Sequence, residues 1–259
     1  MLPSELIDFT SSMYLDDKTA MVSGQPDQLW PPAALTRWLN DAQRILCRRA
    51  WVLSSCNNVD LGIAPTADND ALTKLVLVVG SRAVPFPSNK ILQVQTARLD
   101  DTQVDLIKTT YADIHPTPMV WFNEEFWDIN NPYTEEPGRP QWFASDFATR
   151  TFAVRPIPDG SSSLNVLLRV VHMPLYDMTS DDVHGIEVPE EYHEDLALYA
   201  AGRALMNPNI DAGKEGRTAG KEFLAEFNAK VLMAREDRQR REQAPVRFRF
   251  GKWAHDHRT

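Results

Sequence analysis

Six histidines, two cysteines and several adjacent pairs of carboxylates are the residues of this 259-residue chain whose types could do chemistry. His184 and His193 flank the start of a helix, with Glu190, Glu191 and Glu194 nearby, and together they are nitrogen and oxygen donors of the kind a divalent metal takes. The same five residues also suit a solvated helix N-terminus, where acids meet the positive end of the helix dipole, and that plainer reading is preferred. His255 and His257 bracket Asp256 in a chelating spacing, but among polar residues that favour solvation. Glu124 and Glu125, Glu135 and Glu136, and Asp181 and Asp182 fall in loop-like sequence. Adjacent carboxylates seldom face one substrate, so paired acid–base work is not expected of them. Cys47 and Cys56 are too few for a disulfide framework or a thiolate zinc site. No phosphate-binding loop, nucleophile elbow, zinc-protease helix or kinase signature occurs, and the 11 glycines do not cluster. The expectation is therefore no catalytic residue, no metal site and no cofactor. The alternative is a soluble β-domain enzyme or small-ligand binder, with tryptophans lining a pocket and a metal near His184 and His193. Trp30, Trp38 and Trp51 flank or sit on the first helix and Trp121, Trp127 and Trp142 lie in β-rich sequence, so packing is the preferred use of these rings.

A different chemistry, that of binding, concentrates at the end of the sequence. Val246, Phe248 and Phe250 alternate with Arg247 and Arg249, and Trp253 follows. That is strand periodicity with one apolar and one cationic side, built from residue types that interfaces favour. From Arg235 on there are eight Lys/Arg against four Asp/Glu, a surplus of four positive charges. The formal net charge is −9, so residues 1–234 carry −13. So acidic a body does not bind nucleic acid by releasing counterions, and a duplex passing along it would be repelled rather than held. Val246, Arg247, Phe248, Arg249, Phe250 and Trp253 are thus expected to form a partner-binding arm. The competing reading is a strand that folds back onto its own sheet.

The elements that must carry these residues follow from the hydrophobic pattern. Residues 1–30 read as an irregular, acidic lead-in with no signal-peptide pattern. Pro31 and Pro32 suit the first turn of a helix, and Leu35, Trp38, Leu39, Ala42, Ile45 and Leu46 then recur at helical spacing. From residue 51 the pattern turns β-rich. Strands are expected near 74–79 and 90–98, and residues 151–156 and 164–172 read as a hairpin around "PDGSSS". Helix returns at Pro189, where Ala197, Ala200, Ala201 and Ala204 make a small-residue face. A last helix, from about 211 to 242, repeats Ala219, Phe223, Phe227 and Val231. The expected fold class is α+β: a small helical core, made of the N-terminal helix and two C-terminal helices, with an inserted β-rich domain and an extended C-terminal arm. In numbers, 1–50 is lead-in and first core helix, 51–186 the inserted domain, 187–243 the C-terminal core helices and 244–259 the arm. A chain of this length buries roughly 70–75 % of its unfolded surface. Its apolar and charged fractions, 43% and 24%, are ordinary for a globular protein, and no apolar run is long enough to span a membrane. With so little cysteine, synthesis in a reducing cytoplasm is the default.

Three of these stretches, in this order, carry a resemblance: "LTRWLNDAQRIL", "FAVRPIPDGSSSLNVLLRVVHMPL", and "VPEEYHEDLALYAAGRALM" with the Phe223/Phe227 helix after it. In them the chain resembles the head-to-tail adaptor, or connector, proteins of tailed bacteriophages, over most of residues 30–235. The resemblance implies a structural virion protein without catalytic residues or cofactor, made in the host cytoplasm and placed at the head–tail junction. It implies a homo-oligomeric, dodecameric ring docked beneath the portal protein and joined to tail or nozzle proteins. DNA would pass through the ring without specific binding, and no membrane is involved. The C-terminal extension of such proteins often reaches the portal.

Overall fold

The computed structural model describes residues 1–15, 30–56, 67–101, 104–110, 137–145, 150–160, 164–180, 182–208 and 213–243. Its α+β fold has the predicted order of helix, strands and helices. In the helical part, α2 (Pro32–Ala50) starts on Pro31 and Pro32 and buries Leu35, Leu39, Ala42, Leu46 and Ala50, a stripe at three- and four-residue spacing. It stops at Trp51, whose φ of 57° is left-handed and whose N–H closes on the Cys47 carbonyl at 3.1 Å. A single 3₁₀ turn, Glu190–Tyr192, leads into α4 (His193–Leu205). The predicted small-residue face of α4 is its buried face: Ala197, Ala200, Ala201 and Ala204 are all fully covered. That face lets α5 (Gly213–Gln243) approach closely. A Cβ placed on Gly202 would meet the Leu224 Cγ at 2.8 Å and the Gly220 carbonyl at 3.0 Å.

The N-terminal lead-in differs from expectation. Pro3–Phe9 is a short helix, α1, continued by one π-helical turn over Thr10–Tyr14, and Leu6 and Ile7 join the helical core. Two turns give too few apolar repeats to show a period, and α1 is capped from far away in sequence. The Asp182 carboxylate accepts the Ser4 N–H at 2.8 Å and the Ser4 hydroxyl at 2.7 Å.

Two four-stranded sheets form the β-rich part, which also holds the short helix α3 (Ala67–Thr73). In the first, β8 (Asn165–His172) is the central strand and every neighbour is antiparallel to it. β4 (Ile91–Leu99) covers one edge over Val166–His172. β1 (Ser54–Cys56) and β2 (Lys74–Val76) share the other edge end to end, against Arg169–Val171 and Asn165–Leu167. The second sheet has the order β3 (Ala83–Pro85), β7 (Thr151–Arg155), β6 (Trp142–Ala144), β5 (Ile107–Lys108), with β5 parallel to β6. Val94, Leu99, Phe143, Phe152, Val166 and Leu168, drawn from both sheets, share one buried cluster. Residues 151–156 and 164–172 therefore contain strands, as expected, but they form no hairpin. β7 belongs to the second sheet and β8 to the first. Alternation says which side chains point inward, and not which strand lies alongside.

Candidate interaction surfaces

Asn40, the polar residue inside the apolar stripe of α2, fixes the segment that leads from β8 to α4. Its side-chain amide donates to the Met178 carbonyl at 3.0 Å, and its carbonyl accepts the Met178 N–H at 2.7 Å, all buried. Gln43, one turn on, accepts the Glu187 N–H at 3.2 Å. The Glu187 carboxylate in turn accepts the N–H groups of Leu175 (2.9 Å) and Tyr176 (2.6 Å). Lys90, just ahead of β4, donates to the carbonyls of Pro174 and Leu175, and Arg44 meets Asp177 at 2.6 Å. Residues 173–180 and 182–190 thus form a strap bonded to α1, to α2 and to the edge of the first sheet.

The histidines on and beside this strap have separate tasks. His184 stacks flat on Tyr176, with ring centroids 4.6 Å apart. His193 is buried and donates from Nε2 to the Val188 carbonyl at 3.0 Å, leaving its Nδ1 with no partner. Burial, the largest cause, holds its pKa below the ordinary 6.5 despite that hydrogen bond. His172 donates from Nδ1 to the Met173 carbonyl, so its Nε2 accepts from the Ser55 hydroxyl. Among the described residues no group of three or more His, Cys, Asp or Glu is placed to hold a metal. Cys47 is fully buried and burial pushes its thiol up to about 12, so it stays protonated.

α5 is the element that leads towards the expected arm. At 31 residues it is about 46 Å long. It packs through Phe227, Val231 and Ala234, with Phe227 against the Tyr199 ring and Phe223 edge-on to Tyr14. Lys230 reaches the buried Asp195 at 3.3 Å and Arg235 lies 5.9 Å above the Trp51 ring. Burial raises the Asp195 pKa and outweighs Lys230, while Asp195 raises that of Lys230. The last buried side chain described on α5 is Ala234. Further on, the exposed Arg240 makes long surface ion pairs with Glu236 and Asp237, each at 3.8 Å. Val246, Arg247, Phe248, Arg249, Phe250 and Trp253 lie outside the described residues, as do His255, His257, Trp121, Trp127 and the Glu124/Glu125 and Glu135/Glu136 pairs.

Two exposed apolar sites escaped the sequence reading. Leu232 and Met233 stand out from the outer side of α5, and Val76, Val78 and Val79 from the rim of the first sheet, each more than half exposed. The run "KLVLVV" carries no polar alternation, so nothing in it distinguishes a strand covered on both faces from one covered on a single face.

Comparison with known families matches residues 1–249 to the model of the SU10 adaptor protein. No curated protein matches the chain.

Proposed function

The chain belongs to the SU10 adaptor protein family, a family of phage head-to-tail adaptors, and from that premise we propose that it builds a dodecameric ring between portal and tail. Its role is structural, at the head–tail junction of the virion, with portal and tail proteins as partners. The observation that carries the reading to particular residues is α5, which runs on past its last described buried side chain towards a cationic, aromatic segment. In this reading the helical parts of neighbouring copies meet side by side, with Leu232 and Met233 available for that contact. Each arm docks on the portal or on an adjacent copy. Phe248, Phe250 and Trp253 fill apolar pockets there while Arg247 and Arg249 pair with acids. The charge of −13 on residues 1–234 suits a channel that DNA passes without being bound. The molecule is then four parts: lead-in and first helix (1–50), inserted β-rich domain (51–186), C-terminal core helices (187–243) and arm (244–259).

Deleting residues 244–259 tests it. The expected product is a folded monomer, by circular dichroism and mass measurement, that no longer joins portal rings. Truncated protein that docks as well as the full chain would remove the arm from the mechanism.

A further inference from the structure

Packing within the described chain leaves the outer edge of β2 unsatisfied. In its register with β8, Lys74 lies opposite Leu167, Leu75 opposite Val166 and Val76 opposite Asn165, and the Leu77 N–H continues the ladder to the Leu164 carbonyl at 2.7 Å. Backbone groups alternate in direction along an antiparallel strand. Since Leu77 bonds inward, Val76 presents its N–H and C=O outward, and no described strand pairs with that side. The side chains there are β-branched and exposed: Val76 58%, Val78 54% and Val79 53%. Natural edges are usually blunted by charge, proline or a bulge; here the one charge is Lys74, at the start of β2, and from Leu75 to Val79 there is no charge and no proline. An edge of that kind accepts an added strand.

We propose that the occupant is the arm of a neighbouring copy, with Val246, Phe248 and Phe250 laid along the edge of β2. This rests on the adaptor reading and names the surface that one arm would grip. Three observations select the occupant. The arm has the period of two that a strand needs, and its Phe and Val side chains would lie opposite Val76 and Val78, a favourable cross-strand pairing. Its alternate residues, Arg247 and Arg249, are cations brought to a body of net charge −13. Its 16 residues span up to about 53 Å when extended, a reach longer than the roughly 46 Å of α5. The contact joins two different surfaces of one chain, and repeated around an axis such a head-to-tail contact closes a ring.

The full chain carrying p-benzoylphenylalanine in place of Phe248 provides the test, irradiated after assembly on portal rings. The expected product has the mass of two chains, twice 29.4 kDa, with the cross-link mapped to residues 74–79. An adduct confined to one chain, an adduct to the portal alone or to another surface, or no adduct would each overturn the proposal. The double variant Val76→Asp/Val78→Asp changes exposed side chains only. It should abolish the cross-link and raise the concentration needed for ring formation at least ~10-fold, about 1.4 kcal/mol. If that variant still forms rings at the original concentration, the docking surface is wrong while the adaptor reading stands. If the unaltered chain fails to join portal rings, both fall.

Discussion

Asn40 sits on the buried side of α2 because both backbone groups of Met178 need it there. Replacing it with leucine leaves a buried N–H and a buried C=O without partners, at a cost of roughly 1–3 kcal/mol each. Urea unfolding of Asn40→Leu should therefore show a loss of several kcal/mol. Arg44→Ala, which breaks only the exposed pairs with Asp177 and Asp41, should stay within about 1 kcal/mol of the parent. His193 makes a second case, in which protonation matters. Its folded pKa is held below the ordinary 6.5 by burial, with the charged N-terminus pushing the same way and Glu190 opposing. As pH falls through that ordinary value, the unfolded chain takes up a proton before the folded one does. The contribution of His193 to stability is intact above about pH 6.5 and declines below it. His193→Gln keeps a donor for the Val188 carbonyl and removes the titration. The fall in the urea midpoint between about pH 7 and pH 5 should be smaller in that variant than in the parent.

At the scale of elements, the crossing of α4 over α5 depends on the absence of side chains at Gly202 and Gly220. Glycine inside a helix costs up to about 1 kcal/mol in propensity. Gly202→Val would recover part of that and still lose overall, since even its Cβ falls 2.8 Å from the Leu224 side chain and 3.0 Å from a carbonyl of the facing helix. A net loss of about 1–3 kcal/mol, read as a lower Tm, is expected. Strand pairing is the complementary lesson. β7 and β8 stand where alternation puts them, yet they join different sheets, because alternation sets which side chains face inward and leaves the choice of partner strand to the rest of the β-rich part.

Across the whole molecule, the uneven charge predicts how docking responds to salt. If Arg247 and Arg249 meet acids on a partner, docking of the full chain on portal rings should weaken between about 0.05 and 0.5 M salt, as the screening length shortens from roughly 14 Å to 4 Å. Arg247→Ala/Arg249→Ala should flatten that dependence. Phe248→Ala/Phe250→Ala should lower affinity by a similar factor at every salt concentration, since apolar burial does not depend on screening. A fluorescence titration of labelled chain against portal separates the two outcomes.

From the sequence alone came the buried stripe of α2, the alanine face of α4, the −13 body and the alternation of the arm, all of them properties of neighbouring residues and their periods. The same local information misjudged what distant residues supply. The cap of α1 comes from Asp182, 178 positions beyond Ser4, and its partner in space is invisible to any short window. Asn40, one polar residue among apolar ones, gives no sign in a short window that Met178 folds onto it, and "KLVLVV" reads as a strand without revealing that one of its faces stays open. Period fixes the direction of a side chain. What meets it there is decided only when the chain closes on itself, because the energy of a buried pair depends on both of its members.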